Sequence, residues 1–221
     1  MLLPKSFHNN YEESPDRLKE LTEDVKSERG QQPSSRASPD ALLKNHEWHL
    51  QLFSDGNLPI KNFILPLPYP PSRVSIGDES SLKVKIRNLL VEKREPKRFL
   101  ILRTITSPYI HSSTVTIAED EAGDAVRLTV YNLEDNIVDP ILPKSTNLAI
   151  KQPCWSRLEG GGYHVRVDHP SDLVLIDSRD ASLPESWRAI EKVDPTKDAS
   201  QWKKEGDMMF LKKRFRSALK L

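Results

Sequence analysis

A chain of 221 residues with 37% hydrophobic content has room for one well-buried domain plus extensions, and its net charge of +1 argues against bulk attraction to nucleic acid. The one cysteine, Cys154, excludes an internal disulfide and a cysteine-rich zinc site, and it fits a reduced compartment, cytoplasm or nucleus. No apolar run approaches the roughly 20 residues of a membrane span, and Met1-Leu2-Leu3-Pro4 is too short for a signal-peptide core.

Residues 1–74 read as an extended, partly disordered arm, in keeping with 17 prolines against 8 glycines in the chain. Ser14-Pro15-Asp16 marks a helix start, but Leu18, Leu21 and Val25 form too thin a stripe to bury much. Residues 30–38 (GQQPSSRAS) read as a linker. A better helix is predicted at about 39–53: Ser38 caps it, Pro39 opens it, and Leu42, Leu43, His46, Leu50 and Phe53 share a face. His46 and His49 stand three apart, yet no third ligand completes a metal site, so no metal is expected. Residues 65–72 (LPLPYPPS) predict a polyproline-like strap along a neighbouring element; a ligand for an aromatic-lined groove is the alternative.

A β domain is predicted over 75–180. After a lead-in at 82–91, branched or alternating segments at 99–105, 113–118 and 125–131 read as three strands. Gly123, in an acidic tip with Glu119, Asp120, Glu121 and Asp124, suits a tight hairpin between the second and third. A crossing segment, then strands at 147–151 and 163–167 around Glu159-Gly160-Gly161-Gly162, complete the set. That order predicts a mainly β fold: a small antiparallel five-stranded barrel of the oligonucleotide/oligosaccharide-binding type, with a generic barrel or sandwich as the alternative. Residues 181–197, with Trp187, read as a linker, and 198–221 read as helix with Trp202, Met209, Phe210, Phe215, Ala218 and Leu219 on one face.

The pattern Trp202, Gly206, Phe210, Phe215 and Ala218 resembles the opening of a tetratricopeptide repeat, covering 24 residues and stopping inside the second helix. Repeats that clamp an acidic peptide terminus carry Lys and Asn where this chain has Lys203 and Asp207, and the Asp would repel a carboxylate. With TIAEDEAGDAVRLTVYN and LAIKQPCWSRLEGGGYHVRVDHPSDLVLID, residues 75–221 resemble the N-terminal region of fungal proteins that join such repeats to a SET lysine-methyltransferase domain. The resemblance implies a front part of a longer enzyme, with the SET domain beyond Leu221 and no cofactor residues in this chain.

No catalytic set emerges. Asp168-His169-Pro170-Ser171 has the residue types of a hydrolase triad, but neighbours on a strand point to opposite faces. The acidic tip lacks calcium-loop spacing and reads as a solvated hairpin end, and Cys154 lacks an activating partner. Eight Lys/Arg between Lys83 and Arg103, opposed by Glu92 and Glu95, raise single-stranded nucleic acid as an alternative ligand. Tyr109, Tyr131, Trp155 and Tyr163 would then stack on bases, and Arg103, Arg127 and Arg166 would face phosphates. The favoured expectation is a non-catalytic interaction module that meets a protein partner through Lys203 and the repeat face, without cofactor or membrane. Catalysis is expected only of a longer parent protein.

Overall fold

The computed structural model describes residues 27–54, 70–73, 76, 82–134, 140–158, 161–188, 198–212 and 218. The Leu18 stripe, most of the proline strap, and Phe215 and Leu219 lie outside them.

Among the described residues, nine strands form one mixed sheet: β1 (Lys83–Val84), β2 (Phe99–Thr104), β3 (Tyr109–Ile110), β4 (Thr114–Glu119), β5 (Ala125–Val130), β6 (Asn147–Lys151), β7 (Trp155–Arg157), β8 (Tyr163–Val167) and β9 (Leu173–Leu175). Their order is β7-β8-β5-β4-β2-β6-β9, with β1 also on β2 and β3 on β4. This overturns the antiparallel five-stranded barrel. β8 lies parallel to β5, β1 lies parallel to β2, and β2 sits between β4 and β6. Alternation and turn residues report a strand and its hairpin neighbour, whereas these pairings join segments with other elements between them in the chain.

One face of the curled sheet encloses the main core. Leu100 and Leu102 (β2), Ala118 (β4), Val126, Leu128 and Val130 (β5), Leu148 and Ile150 (β6), and Val165 and Val167 (β8) all point into it. Ile86, Leu89 and Val91 from the segment after β1, and Ile141 and Leu142 from the crossing segment, fill it further. On the other face of β2, Phe99 and Ile101 pack with Leu183 and Trp187, so the 181–188 link is docked.

The acidic tip is not merely solvated. Asp120 is buried, and its carboxylate accepts amides from Ala122, Asp124 and Ile86. Gly123 completes the turn at φ +80°, a conformation that β-carbons disfavour.

The helix α1 (Pro39–Ser54) is capped by Ser38, whose Oγ accepts the Ala41 amide at 3.2 Å. It docks through aromatic rings: Tyr109 lies 5.1 Å from His46, 5.3 Å from His49 and 5.1 Å from Phe53, and Phe53 lies 5.0 Å from His111. The 30–38 linker is also docked. Gly30 donates to the Val91 carbonyl at 2.8 Å, and Val91 donates to Gln31 at 2.9 Å. Ser34 Oγ lies 2.9 Å from the Tyr163 hydroxyl. The end of the proline strap is held where Asp172 accepts the Ser72 amide at 2.8 Å.

The helix α2 (Ala199–Leu211) starts with a reciprocal cap between Asp198 and Gln201.

Candidate functional site

Because Val126, Leu128 and Val130 turn into the core, Arg127 and Thr129 must turn outward from β5. On β8, Val165 and Val167 turn inward and leave His164 and Arg166 outside. The parallel register sets Thr129 beside Arg166. Arg157, at the end of β7, pairs across the strand with Tyr163. Residues 37–45 at the start of α1 roof this patch with the small side chains Ala37 and Ala41, and beneath them lies a cleft of about 950 Å³. Tyr131, Tyr163, His49 and the Gly161-Gly162 turn complete its walls.

The three guanidinium groups sit in different company. Arg166 Nε donates to Asp168 Oδ1 at 2.7 Å, and its Cζ lies 4.8 Å from the centre of the Tyr131 ring. Arg157 lies 3.5 Å from Glu28 Oε2, which also accepts the Tyr163 hydroxyl at 2.9 Å. Arg127 has a neutral neighbour: its Nη2 donates to Asn45 Oδ1 on α1, and its enclosed Nε has no hydrogen-bond partner. Among the described residues, none that line the cleft is acidic.

His164 is the neutral member of the site. Burial, reinforced by the positive charges of Arg166 and then Arg127, pushes its pKa down to about 3. Its Nδ1 lies 2.8 Å from Thr129 Oγ1. His46 is also driven down by burial, with Arg127 adding to the effect. The cleft can therefore attract a negative group near neutral pH, but its buried histidine is not a cation there.

Of the residues expected to contact nucleic acid, the structure brings Arg127, Tyr131, Tyr163 and Arg166 together in this cleft. It sends the others elsewhere. Arg103 pairs with Glu119 at 2.6 Å and lies 5.0 Å from the Trp187 ring, outside the cleft lining. Tyr109 is buried among the rings that hold α1, and Trp155 is a core side chain. Sequence reading missed Arg157 and His164, and weighed His49 only as a metal ligand. The Glu159–Gly162 turn between Arg157 and Tyr163 was the available signal, since a hairpin there places the two opposite one another.

At the C-terminal end, Trp202 is half-buried, Lys203 and Asp207 are exposed, and Phe210 is 62% exposed. A β-carbon on Gly206 would come 3.9 Å from the Ala218 carbonyl, ordinary contact, while Phe215 lies outside the described residues. Cys154 is buried, and burial raises its pKa. Asp168 and His169 are buried; Asp168 is tied to Arg166. Among the described residues no three His, Cys, Asp or Glu side chains converge as metal ligands, and no helix is long and apolar enough to cross a membrane.

The chain is 31% identical over 191 residues to a protein of Gibberella zeae named "Methyltransferase". The alignment takes in 85% of this chain and 25% of that protein, so the chain spans a quarter of the relative's length. No protein-family model matches the chain.

This likeness overturns the expectation of a non-catalytic interaction module and, with it, a single-strand binder built on a small barrel. The tetratricopeptide and SET assignments likewise find no support: no family model matches, and Phe210 of the expected repeat face is exposed to solvent. A 24-residue helical pattern carries small and aromatic residues at spacings that many amphipathic helices share, so it cannot specify one repeat family.

Proposed function

We propose that this chain is a methyltransferase-type domain, part of an enzyme that moves a methyl group, with the cleft beneath α1 as its ligand-recognition site. The observation that carries the reading is the 31% identity over 191 residues to a protein named for that activity. The cleft supports it physically: a concave space of about 950 Å³ has the size of a small-molecule site, with aromatic walls and a few convergent polar groups.

Among the described residues, the lining gives the sulfonium and ammonium of the usual methyl donor, S-adenosylmethionine, three arginines and no carboxylate, although that donor's own carboxylate would suit an arginine. The cleft suits the other partner of such a reaction, the molecule that is recognised and receives the methyl group.

The test is transfer of a tritium-labelled methyl group from S-adenosylmethionine by the native protein that carries this sequence, isolated from its own cells. It is run beside the same protein with Ala41→Trp, which places a bulky ring in the cleft at an exposed helical position. Transfer that falls at least tenfold in the variant supports the reading. Absence of transfer by the native protein overturns the enzyme assignment, and equal transfer by both removes the cleft from it.

A further inference from the structure

The geometry points to a carboxylate site: we propose that Arg127 binds the carboxylate of a small ligand whose flat, largely apolar body lies in the cleft that Tyr131 and Tyr163 help to line. This deepens the proposed function, because it takes the cleft as that domain's recognition site and names the class of molecule it accepts.

The argument begins with charge. Among the described residues, three guanidinium groups line the cleft and no lining residue is acidic. Two carboxylates reach in from outside the lining, Asp168 to Arg166 at 2.7 Å and Glu28 to Arg157 at 3.5 Å. Arg127 receives neither. Its hydrogen bond goes to the neutral Asn45, and its enclosed Nε is unpaired. A partly enclosed cation without a counter-charge is costly, because desolvation is not offset by attraction. Its neighbours register that charge: Arg127 helps push down both His164 and His46.

The balance also selects the anion. Among the described residues, with Asp168 and Glu28 set against Arg166 and Arg157, the positive charge of Arg127 is left over. One carboxylate closes that difference, and a guanidinium edge matches a carboxylate's planar oxygens. A phosphate dianion would exceed it. The lining describes the rest of the ligand, since Tyr131 and Tyr163 both contribute aromatic surface to the cleft.

The experiment is titration of the full chain with benzoate, followed by NMR of the arginine side chains and by calorimetry. Phenyl phosphate and benzyl alcohol serve as the comparison probes. Saturable benzoate binding that shifts the Arg127 and Arg166 signals is expected, with phenyl phosphate weaker and benzyl alcohol unbound. Arg127→Gln should weaken benzoate at least tenfold, while Arg127→Lys retains part of the affinity. The proposal is overturned if benzoate fails to saturate, shifts residues outside the cleft, or binds Arg127→Gln as well as the wild type. The wild-type NMR map decides the matter even where a variant fails to fold. If phenyl phosphate binds more tightly than benzoate, the carboxylate assignment falls. Benzoate binding without any methyl transfer would sink the enzyme reading and leave this site standing.

Discussion

The Asp120 carboxylate accepts the amide of Ile86 at 2.9 Å, joining the β4–β5 turn to the segment after β1 across 34 residues. Its other oxygen accepts the Ala122 amide at 2.9 Å and the Asp124 amide at 3.1 Å. One buried side chain thus closes a hairpin and pins the segment that carries Ile86, Leu89 and Val91 into the core. Asp120→Ala leaves three amides without this acceptor and should destabilise the chain by about 3 kcal/mol, read as a lower urea midpoint. Asp120→Asn keeps one acceptor oxygen and should lose less. Equal midpoints for Ala and wild type would show that water replaces the carboxylate at no cost.

His164 makes stability fall in acid. Its folded pKa of about 3 lies below the ordinary value of 6.5, so the unfolded chain binds the proton more readily. Its contribution is fully present above about pH 6.5 and declines as pH drops toward 3, by up to about 1.4 kcal/mol per pH unit. Burial lowers His46 as well, so His46 acts in the same direction. Urea unfolding at a series of pH values should show this slope, flattened in His164→Gln. An unchanged slope in that variant would assign the acid sensitivity to other groups.

The contacts of α1 with the sheet include stacked rings, so truncating the central one should release it locally. Tyr109→Ala removes contacts with His46, His49 and Phe53 together, a loss of roughly 3–5 kcal/mol for a buried aromatic. Hydrogen exchange should quicken across 39–54 more than in β5 and β8, whose amides belong to the sheet. Uniform quickening would mean that α1 and the sheet open as one unit.

Cys154 should be unreactive in the folded chain. It is 3% exposed, and burial raises its pKa, so both access and the thiolate fraction are low. A thiol-reactive dye should label it only in denaturant. Rapid labelling in native buffer would require that this corner of the core open readily.

Local signals were legible where their physics is local. The branched and aromatic run at 99–105 and the alternation in 113–118 and 125–131 anticipate β2, β4 and β5, because strands favour such side chains and send successive ones to opposite faces. Ser38 and Pro39 mark the start of α1, because a helix end needs an acceptor for its first amides. Asp120 was misread as a solvated tip residue: composition records its charge but not the distant Ile86 amide that it serves. Tyr109 and Trp155 were candidates for stacking by residue type, and the packing of α1 and of the core used them instead.

The sequence by itself determined where the chain alternates, caps and turns, since each of those depends on neighbours a few bonds away. Only the tertiary structure decided that β8 lies parallel to β5, which brings Arg166 beside Thr129 and gathers it with Arg127 in one cleft. It also decided that α1 roofs that patch, giving Arg127 a neutral amide rather than a carboxylate. Those choices depend on how distant apolar faces close around one core. Loop closure and packing set that outcome, and neither has a period that can be read along the chain.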